Sequence, residues 1–242
     1  MSGHSKWNNI KHKKERSDAA RAKVFTRFSR EMAVAIRAGG SADPAVNSRL
    51  RDIIAKAKAN NVPNENIERV LKKFSEARDI AFEEITYEGY GPSGVAVIVE
   101  TATDNRNRTA GNVRSYFSKY HGNMGSTGCV SFMFEERCVI EIVDEDGEID
   151  EEKLMEAALE AGATDIEGEE GVYIIYTETL DVTAVAEALT AQGYTLESAD
   201  RAMVPSTYVT LDNEDDVKFM TLLLEKLEED DDVVHVFHNW DA

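Results

Sequence analysis

Residues 138–199 read CVIEIVDEDGEIDEEKLMEAALEAGATDIEGEEGVYIIYTETLDVTAVAEALTAQGYTLESA, and their punctuation decides the fold. The apolar run 138–143 predicts a strand and the pattern over 151–161 a helix. A strand follows at 172–177, with 164–167 placed to pair with it, then a helix over 182–191 and a strand near 195–199. Strands and helices therefore alternate as two βαβ-like halves, which is what a compact α+β sandwich of ferredoxin-like type requires.

The same rhythm flanks this stretch. A strand is predicted at 94–100, a helix at 108–120 and a second strand at 129–134; after it come a strand at 207–211, a helix at 215–229 and a strand at 233–237. The simplest nesting inserts one α/β domain, 135–203, into another made of 80–134 and 204–242.

Toward the N-terminus the period changes to that of helices. Ser17 and Asp18 supply a start and Gly39-Gly40 a stop, and Val24, Phe25, Phe28, Met32, Ala35 and Ile36 share one face. On the same wheel Lys23, Arg27, Arg30 and Arg37 fall within about 80° of one another opposite that face, with Val34 among them. Asp43-Pro44 reads as the start of a second helix, whose Val46, Leu50, Ile53, Ile54 and Ala57 form a buried face as far as Asn60-Asn61. A third opens near Pro63-Asn64 and buries Ile67, Val70, Leu71 and Phe74. The fold class expected is thus α+β: an N-terminal three-helix domain, 17–79, followed by two ferredoxin-like α/β sandwich domains, one inserted in the other.

The chain has 242 residues, 42% of them hydrophobic, so it can bury real cores. No apolar run is long enough to span a membrane, and the N-terminus carries charge where a signal peptide needs apolar residues, so a cytoplasmic protein is expected. Cys129 and Cys138 lack metal-type spacing and argue against a disulfide scaffold. The net charge is -19, yet residues 1–79 carry 18 basic and 9 acidic side chains, which leaves 9 and 37 for residues 80–242.

The arm 1–16 concentrates that contrast. Lys6, Lys11, Lys13, Lys14 and Arg16, interleaved with Trp7 and His12, combine phosphate-neutralising charge with groups that stack or hydrogen-bond. Asp104-Asn105-Arg106-Asn107-Arg108-Thr109 lies between a predicted strand and helix. Its Asp and Asn serve as turn and capping groups, and Arg106 and Arg108 can face an anion. The loop Gly122-Asn-Met-Gly-Ser-Thr-Gly128 has the composition of a backbone anion nest but not the lysine of a P-loop. His235 and His238 stand three apart in a predicted strand and so face opposite ways, and 144–149 fails as a calcium loop. Acidic runs at 148–152 and 228–232 should repel nucleic acid and confine it to the N-terminal third. No catalytic constellation emerges, and neither an enzyme nor a cofactor nor a bound metal is expected.

Gly3-His-Ser-Lys-Trp7, Asn9-Ile-Lys-His12, Tyr87-Glu-Gly-Tyr-Gly-Pro92, Asp104-Asn-Arg-Asn-Arg-Thr109, Met155-Glu-Ala-Ala-Leu-Glu-Ala-Gly162, Val204-Pro-Ser-Thr207 and His238-Asn239 occur in the order in which they occur in the YebC/PmpR family, which the chain resembles along its whole length. Asn8, Lys13 and Ser126-Thr127 depart from the commoner residues. The resemblance implies one helical and two α/β domains, with the last strand-helix-strand segment returning to the middle domain. It also implies a DNA-binding transcriptional regulator. The alternative is an RNA-binding translation factor seated on ribosomal RNA, as the translational activators among the mitochondrial relatives suggest; a protein–protein adaptor is a third. Phosphate neutralisation alone reads neither sugar nor base, so charge does not separate the first two.

Overall fold

The computed structural model describes residues 18–76, 82–144, 147–169, 171–178 and 182–241. They fall into two compact units, one formed by the segments up to Ser131 and from Leu211 to His238, the other by Phe132–Thr210 and the segment from Asn239.

The first unit opens with three helices, α1 (Asp18–Gly39), α2 (Ser48–Ala59) and α3 (Asn64–Glu76). Their core is Phe28, Met32, Ala35, Ile36, Leu50, Ile53, Ala57, Val62, Ile67 and Val70. The expected start of the second helix is corrected. Asp43-Pro44 forms a turn, in which the Asp43 carboxylate accepts from the Ala45 N–H at 2.9 Å. The helix begins later, where the Asn47 side chain accepts from the Leu50 N–H at 3.1 Å. Val46 therefore lies on that turn, 73% exposed, and not on the buried face.

After the helices come β1 (Glu83–Tyr90), β2 (Ala96–Thr103), α4 (Arg106–Lys119) and the short β3 (Asn123–Met124). β1 has no counterpart among the expected strands; it pairs antiparallel with β2 over its whole length. At Gly89 a Cβ would lie 2.6 Å from the Asn123 carbonyl oxygen and 2.9 Å from the Phe117 ring, so only glycine lets β3 and α4 come this close.

The second unit contains β4 (Phe134–Val143), α5 (Glu151–Ala161), β5 (Asp165–Glu169), β6 (Val172–Thr177), α6 (Val182–Ala191), β7 (Ser198–Pro205) and β8 (Val209–Thr210). The chain then supplies α7 (Glu214–Glu229) and β9 (Val233–His238) to the first unit, and β10 (Trp240–Asp241) to the second, where it pairs parallel with β8. The expected strands 129–134 and 138–143 are in fact one strand starting at Phe134, preceded by a 3-10 turn at Ser131–Met133.

Both four-stranded sheets are antiparallel. In the second the order β5-β6-β4-β7 is that of a βαββαβ sandwich, with Ile140, Ile142, Leu154, Ile175, Val185 and Leu189 fully buried. In the first, the order β3-β1-β2-β9 reproduces the same spatial arrangement, but the outermost helix-strand pair, α7 and β9, arrives from the far side of the inserted segment. α4 and α7 pack on each other, and α1 packs on β2 and β9. β2 is consequently buried along nearly its whole length, which is why its first half, Ala96–Val99, reads as an unbroken apolar run.

Candidate nucleic-acid interface

The thirteen residues expected to meet nucleic acid divide into three groups. Lys6, Trp7, Lys11, His12, Lys13, Lys14 and Arg16 lie outside the described residues. Lys23, Arg27, Arg30 and Arg37 sit on α1, and Arg106 and Arg108 on the first turn of α4.

The α1 cations do not make one solvent-facing stripe. Residues 32–36 of the helix are all buried, Val34 included, because α1 has two packed faces, one on α2 and α3 and one on β2 and β9. Arg30 points into the second of these. Its Nη1 donates to the Ala102 carbonyl at 2.8 Å and to the Asp232 carboxylate. Arg27 lies half-buried, with its guanidinium 4.7 Å from the centroid of the Phe28 ring and Nε 3.5 Å from Glu31. Lys23 is half-buried, and only Arg37, in the last turn, is exposed.

Asp232 is the junction of the first unit. Its side chain is 3% exposed and accepts from Arg30 on α1, from Arg108 Nη2 at 2.7 Å, and from the Thr109 and Thr103 hydroxyls at 2.6 and 3.2 Å. Burial alone would raise the pKa of this carboxyl, but the Thr109 and Arg108 hydrogen bonds and the Arg30 charge outweigh it and hold it below the usual aspartate value. Arg108 is also held by Asp104 at 2.9 Å, so its guanidinium is engaged by two carboxylates of the fold although the side chain is half exposed. Asn105 caps α4, accepting from the Arg108 N–H at 3.1 Å, and Arg106 projects from the first turn into solvent.

The glycine-rich loop before β4 does gather backbone N–H groups around an anion, and the anion is internal. Glu88, on β1 and 3% exposed, accepts from the N–H groups of Gly128 at 2.7 Å, Val130 at 2.9 Å and Ser131 at 2.8 Å. Burial pushes against ionisation, yet these donors prevail and the Glu88 pKa is lowered. The donors that a bound phosphate would need are already engaged.

Sequence reasoning passed over two exposed cations, Arg114 and Lys119, that share α4 with Arg106. The signal was present: α4, RNRTAGNVRSYFSK, is the only α-helix among the described residues without Asp or Glu. Among the described residues no group of His, Cys, Asp or Glu is placed to hold a metal, and no helix is long and apolar enough to cross a membrane.

A three-helix region followed by two four-stranded antiparallel sheets with their helices defines the class, an α+β protein. Residues 5–77 match the TACO1/YebC protein N-terminal domain, and residues 82–240 the TACO1/YebC second and third domain; the chain belongs to this family. It is 54% identical over 241 residues to a "Probable transcriptional regulatory protein" of Clostridium botulinum (strain Okra), covering 99% of this chain and 96% of that one. A protein of the same description from Ruminiclostridium cellulolyticum is 51% identical over 242 residues, covering 100% and 97%. Among solved structures, the conserved hypothetical protein Aq1575 from Aquifex aeolicus matches with a TM-score of 0.81 at 44% identity, covering 92% of this chain and 91% of that one. The relatives' names are regulatory, not enzymatic.

Proposed function

We propose that the chain regulates transcription in the cytoplasm by binding DNA, with the basic N-terminal third as its main contact. The observation that carries this reading is the charge division, 18 basic and 9 acidic side chains in residues 1–79 against 9 and 37 in the rest. Such a division draws a polyanion toward the N-terminal residues and disfavours the acidic surfaces of the remainder. The relatives described as probable transcriptional regulatory proteins support the same reading.

Fluorescence anisotropy of the full chain with a labelled promoter duplex, a scrambled duplex and an RNA hairpin, across a salt series, tests it. Charge reversal at Lys11, Lys13 and Lys14 should weaken duplex binding and flatten the salt dependence by about one unit of slope per cation. Unchanged affinity and slope would sink the reading. Tight binding to the hairpin alone would replace it with the translational alternative.

A further inference from the structure

We propose that the exposed face of α4 is a second DNA contact, a helix seated in the major groove with Arg114 and Lys119 on its two edges. This rests on the DNA-binding reading above and adds a surface from the acidic part of the chain.

Only nine basic residues follow residue 79, and four of them, Arg106, Arg108, Arg114 and Lys119, lie within the fourteen residues of α4. Chance placement would scatter them; here they fall on one helix that carries no acid. At 100° per residue the buried Thr109, Val113 and Phe117 define one side of the helix. The opposite side presents Asn107, Gly111, Ser115 and Ser118, all exposed. Arg114 borders that strip on one edge and Lys119 on the other, and a Cβ at Gly111 would meet nothing within 4 Å. Arg108 shares the Lys119 edge but is paired with Asp232 and Asp104, and Arg106 lies toward the buried side of the wheel, so the charges that edge the strip are Arg114 and Lys119.

Asp230, an acid at the border with α7, accepts from Asn112 Nδ2 at 3.0 Å and from the Tyr116 hydroxyl at 2.9 Å. Those two donors lie on the half-buried side that borders α7, so the carboxylate is engaged away from the strip. A cation-edged face with an uncharged centre matches a groove flanked by two phosphate backbones. The B-form major groove admits a helix, and α4 is about 21 Å long, a fair fraction of one turn of duplex. The deep, narrow major groove of A-form RNA does not admit one, so the occupant is duplex DNA.

The test uses the full chain and a labelled 20-base-pair duplex in a salt series. Arg114→Ala combined with Lys119→Ala should lower affinity by about tenfold and reduce the salt slope by about two. Ser115→Glu with Ser118→Glu leaves the cations in place and should weaken binding through repulsion at the centre of the strip. Arg114→Lys with Lys119→Arg should bind like the parent. If both α4 variants keep parental affinity and slope while reversal of Lys11, Lys13 and Lys14 abolishes binding, this inference falls and the proposed function stands. If the parent binds no duplex, both fall. If the α4 variants lose affinity for an RNA hairpin and not for the duplex, the groove assignment is overturned.

Discussion

Around the second sheet the described residues bury hydrocarbon, Ile140, Ile142, Leu154, Ile175, Val185 and Leu189 among it, and uncharged polar groups such as Thr177, whereas the first sheet buries a carboxylate near each end of the β1-β2 hairpin. Glu88 lies near the turn end, and Asp232 beside Ala102 and Thr103 at the open end. Hydrocarbon burial contributes about 0.8 kcal/mol per methylene and is indifferent to direction. A buried carboxylate is directional, and each of these two gathers segments distant in sequence. Asp232 joins α1, β2 and α4 to the start of β9; Glu88 fastens β1 to the loop that leads into the inserted unit. The unit that is assembled from separate stretches of chain is the one wired by charge, and the unit formed from one nearly continuous stretch relies on packing.

The largest effect expected from this contrast is at Asp232. Asp232→Ala removes the shared partner of Arg30 and Arg108 and leaves the Thr103 and Thr109 hydroxyls short of an acceptor, a loss of about 3–5 kcal/mol. Hydrogen exchange should show faster opening of α1, β2 and α4 while β4, β6 and α5 keep their protection. Equal loss of protection in both units would break the comparison. A smaller and more local effect belongs to Glu88→Ala, which deprives three N–H groups of their acceptor at a cost of about 1–3 kcal/mol. Its signature is accelerated exchange at Gly128, Val130 and Ser131, with the β4-β6 ladder unaltered.

These hubs also mark where the sequence was hard to read. α5, β6 and α6 were legible to the residue because their signals are local. Asp150 caps α5 through the Lys153 N–H at 3.3 Å, Gly162 ends it at φ +105, and Val172–Thr177 is an unbroken apolar or aromatic run before its final Thr. Residues 129–134 looked equally strand-like, but the N–H groups of Val130 and Ser131, which a ladder would use, donate instead to Glu88, more than forty residues earlier. β1 was invisible for the converse reason. Glu83–Tyr90 has no apolar run and owes its extension to full-length pairing with β2 and to the gap that Gly89 leaves for β3. The α1 stripe was misjudged because the partner of Arg30 stands 202 positions away. Of the candidate interface, Arg106 was readable from its place after a strand, whereas Arg114 and Lys119 become a surface only once α4 shows which side it buries.

Mild acid should give the smallest effect and the sharpest test, because it acts on the first unit without altering a residue. Burial pushes the His238 imidazole down to about 4 from the usual 6.5. The unfolded chain therefore takes up a proton that the folded chain refuses. Stability is full above pH 6.5 and declines as pH falls toward 4. The lowered Glu88 and Asp232 carboxyls act in the same direction further down. Their contribution is present above the unfolded values of 4.5 and 3.8 and is lost as pH falls through the folded ones. In the second unit Asp150, exposed at a helix cap, is held low, and Tyr173 and Tyr176 are displaced upward, away from the acid range. Between pH 7 and 5, exchange protection should therefore fall in β2 and β9 before it falls in β4 and β6. His238→Phe should remove the part of that loss that begins near pH 6.5 and leave the part that begins near 4.5. A variant whose acid profile matched the parent throughout would place the titrating group elsewhere and detach the charge wiring of the first unit from its acid response.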